Sequence, residues 1–153
     1  MTATYSQIFI HVVFSVKNKK SLLPPENLEE VFEYISGIIR KKGQKPVIVG
    51  GVQNHVHVLI GMKPGVTVSA LVRDIKNNSA NFINQKDWIR EKFSWQNGFG
   101  AFSYGSSQVE KVYEYIKNQA QYHKTKTFRE EYVLFLERYN VEYQEKEIPV
   151  LSE

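Results

Sequence analysis

Hydrophobic residues along the chain recur first with the period of a strand and then with that of a helix, and the two patterns go on alternating. Between Tyr5 and Lys17 every second residue is apolar, and His11 lies on the opposite side of this predicted strand. Prolines and glycines mark the ends of the apolar runs, as is typical of turns and helix termini. The pattern predicts a strand over 5–17, a helix from Pro24 to Gly43, a strand over Pro46–Val52, its hairpin partner from His55, a helix from near Thr67, and a strand over Ala101–Tyr104.

This order of elements is that of the ferredoxin-like split βαβ fold. In that fold two helices cover one face of a four-stranded antiparallel sheet and leave the other face free for ligands. We therefore predict an α+β protein with a single domain over residues 1–140 and a tail over residues 141–153. A chain of 153 residues has the ordinary size for one domain with one hydrophobic core.

A further amphipathic helix is predicted after the fourth strand, over residues 109–123. Ser107 and Glu110 have the spacing of a capping box, which is typical of a helix start. Tyr115 and Gln119 are four residues apart, so they lie one above the other on a flank of the helix and can face a shared pocket. The buried stripe beside that flank is predicted to consist of Val109, Val112, Tyr113, Ile116 and Ala120.

Two histidines lie on one face of the third predicted strand, within the run 54–60. Because side chains alternate along a strand, His55 and His57 emerge together while the residues between and after them point into the core. Both imidazoles can therefore reach one metal ion. A polar sheet face without metal fits the same pattern, since histidine is common in such positions. His11 is predicted on this same face.

Composition and charge restrict the chemistry of such a site. The sequence has no cysteine, so any metal ligands must be nitrogen or oxygen atoms, and a reducing compartment fits. The net charge is +4, but residues 137–153 carry five acidic and two basic side chains, which leaves +7 on the rest. A basic body with an acidic tail suits a polyanionic partner, and a solvated surface fits the same charges.

The chain has neither the pattern of a signal peptide nor an apolar run long enough to cross a bilayer. We therefore expect a cytoplasmic protein that does not associate with a membrane.

Three motifs follow one another along the chain: His55-Val56-His57, the stretch from Trp95 to Ser103, and Tyr115-Ile116-Lys117-Asn118-Gln119. In this order they resemble the motifs of the single-tyrosine HUH transposases of the smallest bacterial insertion sequences, including the repeat-associated tyrosine transposases. In that family U is a bulky apolar residue, which Val56 provides. The resemblance runs over nearly the whole chain and implies a DNA transposase that cleaves and rejoins single-stranded DNA at hairpin-marked ends through a 5′-phosphotyrosine.

The resemblance also implies roles for individual residues. By motif position, Tyr115 would be the nucleophile, and His55, His57 and Gln119 would bind Mg²⁺ or Mn²⁺. The helix over 109–123 would then be the additional C-terminal helix that carries the catalytic tyrosine. The family implies a homodimer in which this tyrosine works in trans. His11 is a candidate for a position behind the metal ligands, and the proton acceptor for the tyrosine is not identified.

Aromatic and basic residues near these motifs are candidate contacts to single-stranded DNA, because unpaired bases stack on rings and phosphates attract cations. Packing beneath the loop is an equally good interpretation of Trp95 and Phe99. The candidates are Lys17, Lys19, Lys20, Arg73, Lys76, Trp95 and Phe99.

Three other functions stay open at this level. Another HUH nuclease, of the replication-initiator or relaxase type, would share the metal pair and the tyrosine, but the chain has no helicase or other accessory region. A non-catalytic module that binds single-stranded nucleic acid would use the same sheet, with aromatics in the middle strands where His55 and His57 stand. A purely structural dimer protein would leave the three motifs unexplained.

Overall fold

The computed structural model describes residues 3–149, apart from the side chain of Lys19. Its four strands pair antiparallel throughout, in the order β2-β3-β1-β4, so that β1 and β3 lie in the middle of the sheet. This is the strand order of the split βαβ fold, and the predicted α+β class is confirmed. The strands are β1 (Ile8–Ser15), β2 (Lys45–Val52), β3 (His55–Met62) and β4 (Gly100–Tyr104).

The first face of the sheet is covered by two helices, as predicted. They are α1 (Leu28–Lys41) and α2 (Val68–Lys86), and the Thr67 side chain caps α2 by accepting from the Ala70 amide. Alternate residues of the middle strands point into this core, because strand side chains alternate between faces. The largest apolar cluster lies here and includes Val12, Phe14, Ile35, Val56, Val58, Ile60, Leu71 and Ile75.

The second face of the sheet was predicted to be free for ligands, and it is instead covered by three further helices. α3 and α4 pack on β2, and α5 packs over β1 and β4 through Phe128 and Leu136. As a result His11, His55 and His57 are fully buried. The helices are α3 (Val109–Lys117), α4 (Gln119–Tyr122) and α5 (Phe128–Arg138), and the last of them was not predicted.

The single helix predicted over 109–123 is interrupted at Asn118. Its backbone angles, φ −100° and ψ 27°, lie outside the helical range, so α3 ends before Asn118 and α4 begins after it. The prediction that Ala120 is buried is wrong for this reason, because a continuous helical wheel no longer describes the residues after the break. Ala120 is exposed, whereas Gln119 is fully buried.

Part of the predicted tail packs against the second face. Ile148 is buried among apolar residues of β1, β4 and α5, and Arg129 donates a hydrogen bond to its carbonyl oxygen at 3.3 Å. Residues 150–153 of that tail lie outside the described residues. The domain boundary at residue 140 stays a prediction. None of the helices within residues 3–149 combines the length and apolar character needed to span a bilayer.

Candidate metal centre and its tyrosine

Five polar side chains from three separate parts of the chain meet on the second face of the sheet. His55 and His57 come from β3, Gln119 is the first residue of α4, His123 directly follows that helix, and Glu131 comes from the first turn of α5. His55, His57, Gln119 and Glu131 are fully or almost fully buried, and His123 is partly buried. Burying this many polar groups is unfavourable unless each finds a partner, so their convergence indicates a functional site.

The close approaches in this cluster join ring nitrogens to side-chain oxygens. Glu131 Oε1 faces all three histidines, and Gln119 Oε1 faces two of them. The distances are His57 Nε2–Glu131 Oε1 3.1 Å, His55 Nε2–Glu131 Oε1 3.3 Å, His123 Nε2–Glu131 Oε1 3.2 Å, His55 Nε2–Gln119 Oε1 2.9 Å and His123 Nε2–Gln119 Oε1 3.0 Å.

The other ring nitrogens of His55 and His123 fix which nitrogen carries the hydrogen. His123 Nδ1 lies 2.7 Å from the carbonyl oxygen of Lys126, which can only accept, so Nδ1 must donate. His55 Nδ1 is paired in the same way with Asn54 Oδ1 at 2.7 Å. A neutral imidazole carries only one N–H, so each Nε2 presents a bare lone pair to the oxygens of the cluster. A cation between nitrogen and oxygen would remove that repulsion.

His57 is held from behind by His11. Their nitrogens, His57 Nδ1 and His11 Nε2, lie 2.7 Å apart, and His11 Nδ1 lies 3.2 Å from the Tyr104 hydroxyl. If His57 Nδ1 donates to His11, then the His57 Nε2 lone pair also points into the cluster. Ligand histidines in metalloproteins are generally oriented by such a hydrogen bond from the second ring nitrogen. His11 is thus next to the predicted ligands, in the position for which the sequence made it a candidate.

Burial sets the protonation of the cluster. It lowers the pKa of His57, despite the opposing effect of Glu131, and it lowers the pKa of His123 to about 4. Burial acts to raise the pKa of Glu131, but the interactions of its carboxylate with His57 and His55 outweigh burial and hold that pKa at about 2. Two neutral imidazoles beside an ionised carboxylate are the protonation states in which such groups bind metal.

These donor atoms fit a divalent cation. Two ligands bonded to one ion at about 2.1 Å lie about 3.0 Å apart when they occupy neighbouring coordination positions. The nitrogen–oxygen distances given above are close to that value, and the ligand atoms of His55, His57, His123 and Glu131 all lie within 4.8 Å of one another. The buried His/Glu group can therefore hold a metal ion.

Tyr115 lies at the edge of this cluster, on α3. Its hydroxyl donates a hydrogen bond to Glu131 Oε2, and Gln119 Nε2 donates to the same oxygen at 3.0 Å. Because the Gln119 amide nitrogen is engaged there, its oxygen faces the histidines. The Tyr115 ring meets His57 edge to face, with ring centroids 5.7 Å apart. One carboxylate therefore connects the tyrosine to the group that can hold a metal ion.

The position of α3 depends on a glycine in β2. A Cβ atom at Gly50 would lie 2.8 Å from the carbonyl oxygen of Ile116, so only glycine allows the helix backbone to come this close. Ile116 and Val112 then pack on Leu59 of β3, on the same face as the histidines. This contact places Tyr115, the residue before Ile116, beside the cluster.

A cleft of about 820 Å³ runs between α3 and α5 and reaches Tyr115 and Glu131. Its walls combine rings with two basic side chains, which is the mixture that suits a single-stranded polyanion. Residues lining the cleft include Tyr104, Lys111, Tyr115, Tyr122, Arg138 and Tyr139.

The structure brings together the four residues of the predicted ligand and nucleophile set, and it adds two that sequence reasoning missed. His123 was not assigned to the predicted ligand set. Glu131 was missed because α5 was not predicted. Its start carries the same signal that located α3, a capping box in which Thr127 and Glu130 exchange hydrogen bonds of 3.0 and 3.1 Å.

The candidate DNA contacts are not gathered at the cluster. Trp95 is buried in the core of the first face, donating its indole N–H to Ser79 Oγ at 3.0 Å, and Phe99 packs partly buried against that core. Lys76 donates to the carbonyl oxygens of Gln96 and Gly98 at 2.7 and 2.6 Å. Lys17, Lys20 and Arg73 are exposed, and the Lys19 side chain lies outside the described part. Their contact with DNA stays a prediction.

Comparison with known proteins supplies a family. The family described as "Transposase IS200 like" matches residues 4–119, a range that includes Tyr115 and Gln119 and ends before His123 and Glu131. A structure of a transposase from Deinococcus radiodurans R1 is similar with a TM-score of 0.61 and 17% identity, covering 78% of this chain and 95% of that one.

A second similar structure is that of a REP-associated tyrosine transposase bound to a REP hairpin. Its TM-score is 0.59 at 16% identity, and the alignment covers 80% of this chain and 73% of that one. At such identities these two likenesses establish the fold. No curated protein sequence matches the chain significantly.

Proposed function

The chain belongs to the IS200-like transposase family, and from this premise we propose that it cleaves and rejoins single-stranded DNA through a covalent bond to Tyr115. The observation that carries the proposal is the position of the Tyr115 hydroxyl, which is hydrogen-bonded to a buried carboxylate of the His/Gln/Glu cluster. A phenol held beside a group of this kind has the arrangement that nucleophilic attack on phosphorus requires.

In the proposed reaction the Tyr115 oxygen attacks the scissile phosphorus. The bond from phosphorus to the 3′-oxygen breaks, which leaves a 5′-phosphotyrosine and a strand end that takes up a proton to become a 3′-hydroxyl. Glu131 Oε2 accepts the hydrogen bond of the phenol, so it is the nearest group in the cluster to receive the phenolic proton. Attack by a 3′-hydroxyl on the phosphotyrosine reverses the step, restores Tyr115 and rejoins a strand.

The proposed metal ligands are His55, His57 and Gln119, with Mg²⁺ or Mn²⁺ as the ion. When bound, the ion would supply Lewis-acid polarisation of the phosphate and stabilise its negative charge. His55 Nε2 lies 2.9 Å from Gln119 Oε1, and the Nε2 atoms of His55 and His57 both face Glu131 Oε1, so these ligand atoms are gathered in one cluster. His11 would keep His57 in the orientation that such binding needs.

The cleft between α3 and α5 is the proposed path of the DNA strand, because it leads to Tyr115. Lys111 and Arg138 can neutralise phosphates along this path, and Tyr104 and Tyr139 can stack on unpaired bases. By analogy with the structural relative bound to a REP hairpin, we propose that the strand is the end of an element marked by a hairpin.

Covalent trapping tests the proposal. Labelled single-stranded DNA from the genomic flank of the gene is incubated with the protein and Mn²⁺, and a denaturing gel separates free DNA from the adduct. We expect an adduct with the wild type and a loss on the order of 1,000-fold or more with Tyr115→Phe. Tyr113→Phe, on the same helix and outside the cluster, is the matched control and should retain the adduct. An adduct of undiminished yield in Tyr115→Phe would contradict the proposal.

We also propose a homodimer, for which the family resemblance is the support. In the described chain Tyr115 lies beside its own cluster, which supports cleavage in cis, whereas action in trans requires α3 to dock on a second copy. Mixing a Tyr115→Phe chain with a His57→Ala chain distinguishes the two. Cleavage recovered in the mixture supports trans assembly, and a mixture without activity argues for cis.

A further inference from the structure

We infer that His123 and Glu131 are metal ligands alongside His55 and His57, which makes the site a three-histidine, one-carboxylate centre that takes a first-row transition metal ion such as Mn²⁺ in preference to Mg²⁺. The inference rests on the proposed function in that it concerns the same site. It adds two ligands that lie beyond the family match at residues 4–119. It also narrows the ion from Mg²⁺ or Mn²⁺ to a first-row transition metal ion.

The first argument is the orientation of the His123 ring. Its Nδ1 donates to a main-chain carbonyl oxygen, so its Nε2 has no hydrogen to offer in the neutral ring. That Nε2 nevertheless lies 3.0 Å from Gln119 Oε1 and 3.2 Å from Glu131 Oε1. A nitrogen lone pair held this close to two oxygens is unfavourable by itself and is favourable when all three bind one cation.

The second argument is the position of Glu131. Its Oε1 lies between 3.1 and 3.3 Å from the Nε2 atoms of His55, His57 and His123, while its Oε2 is engaged by Tyr115 and Gln119. An ion that is bound by the histidines can reach Oε1 without displacing the tyrosine from Oε2. The carboxylate thus offers one oxygen to the metal and uses the other to hold the nucleophile.

The third argument concerns the identity of the ion. Mg²⁺ prefers oxygen ligands and keeps several waters, whereas imidazole nitrogen suits first-row transition metals, with Mn²⁺ also accepting carboxylate. A set of three imidazoles and one carboxylate is therefore poor for Mg²⁺. With Gln119 Oε1 as a fifth ligand, an octahedral ion keeps one position for a phosphate oxygen of the substrate.

Calorimetric titration of the apoprotein with Mn²⁺ and with Mg²⁺ tests the inference. We expect one Mn²⁺ per chain and an affinity at least tenfold higher than that for Mg²⁺. His123→Ala and Glu131→Gln should each weaken Mn²⁺ binding at least tenfold. Gln121→Ala and Glu137→Gln change exposed neighbours on the same segments and should bind as the wild type does. Equal Mn²⁺ affinity in all four variants, or no preference over Mg²⁺, overturns the inference.

A measurement on the wild type does not depend on whether a variant folds. Pulsed electron paramagnetic resonance of the Mn²⁺-loaded protein counts the coordinated imidazole nitrogens, and we expect three. Two would overturn the inference and leave His55 and His57 as the imidazole ligands. The two claims can fail separately. A three-imidazole Mn²⁺ site in a protein that does not cleave DNA would contradict only the proposed function. DNA cleavage by His123→Ala at the wild-type rate with Mg²⁺ would contradict only the inferred ligand set.

Discussion

The two faces of the sheet are built from the same strands, yet the first carries an aliphatic core and the second places a buried polar cluster among its apolar contacts. On the face under α1 and α2, β3 contributes Val56, Val58 and Ile60 to an aliphatic core. On the face under α3, α4 and α5, the alternate residues of that strand are His55 and His57, surrounded by aromatic rings and a buried carboxylate. The first face buries apolar area and stabilises the fold.

The second face keeps polar groups away from water at a cost that only a specific partner can offset. The comparison teaches that one strand can serve stability and chemistry together, because its side chains alternate. Substitutions on the first face should therefore change the free energy of unfolding and leave metal binding intact in the molecules that fold. Substitutions in the buried polar cluster of the second face should weaken metal binding more than they lower the free energy of unfolding.

The largest effect is expected in the core of the first face. Ile35 of α1 is fully buried, and Ile35→Ala should lower the free energy of unfolding by about 3 to 4 kcal/mol through lost apolar contact and a cavity. Chemical denaturation followed by circular dichroism measures the change. At denaturant concentrations below the midpoint, where Ile35→Ala is folded, its Mn²⁺ affinity should equal that of the wild type. A tenfold lower affinity under these conditions would contradict the separation of stability and metal binding between the two faces.

A smaller effect is expected where α3 docks on β2. Gly50→Ala places a methyl group against the Ile116 carbonyl, which we expect to cost about 1 to 3 kcal/mol and to shift Tyr115. Covalent adduct formation should fall more than thermal stability. Gly37→Ala, in α1, is the matched control: its added methyl meets nothing within 4 Å, and alanine favours the helix. Full adduct yield in Gly50→Ala would show that the docking of α3 does not position the tyrosine.

His11 tests the support of the metal site separately from the ligands themselves, because it is fully buried behind His57. His11→Phe should leave the His57 N–H without its acceptor and weaken Mn²⁺ affinity roughly 10- to 100-fold, with unfolding changed by less than about 1 kcal/mol. His11→Gln, whose amide oxygen can accept, should recover part of the affinity. If both variants bind Mn²⁺ as the wild type does, His11 only fills the sheet face.

The smallest effect concerns Lys76 and pH. Burial lowers its pKa to about 8 from a usual value of 10.5, so between these values the unfolded chain binds more protons than the folded one. Stability should therefore rise with pH over that window relative to Lys76→Met. The side chain is only half buried, and solvent screening limits the gain to about 1 kcal/mol or less. Denaturation of both proteins at pH 7.5 and 10 measures it, and parallel profiles would contradict the assignment.

Local patterns accounted for the sheet, for α1 and α2, and for the convergence of His55 and His57. Strand alternation and helix periodicity are short-range signals, and these elements obey them. The break at Asn118 and the covering of the second face depend on packing between segments far apart in sequence. Periodicity within one helix cannot report on such packing.

The reason why α5 was not predicted is different, because the sequence signals of a helix were present in this segment. Phe128, Tyr132, Phe135 and Tyr139 have helical spacing, and Thr127 and Glu130 have the spacing of a capping box. The chain after His123 was interpreted without them, and Glu131 was missed with the helix. A carboxylate directly after a predicted capping box, as Glu131 is after Glu130, is therefore worth considering as a partner for any buried histidine pair.

The capping box of α5 has a kinetic consequence. Glu131 belongs to the first turn of its helix, held by the exchange between Thr127 and Glu130, both of which are exposed. Helix ends are among the parts of a protein that open at the lowest free energy. When that turn unwinds, the carboxylate leaves the imidazoles and the phenol at once, so the rate of fraying of a single surface turn limits how long the assembled centre persists.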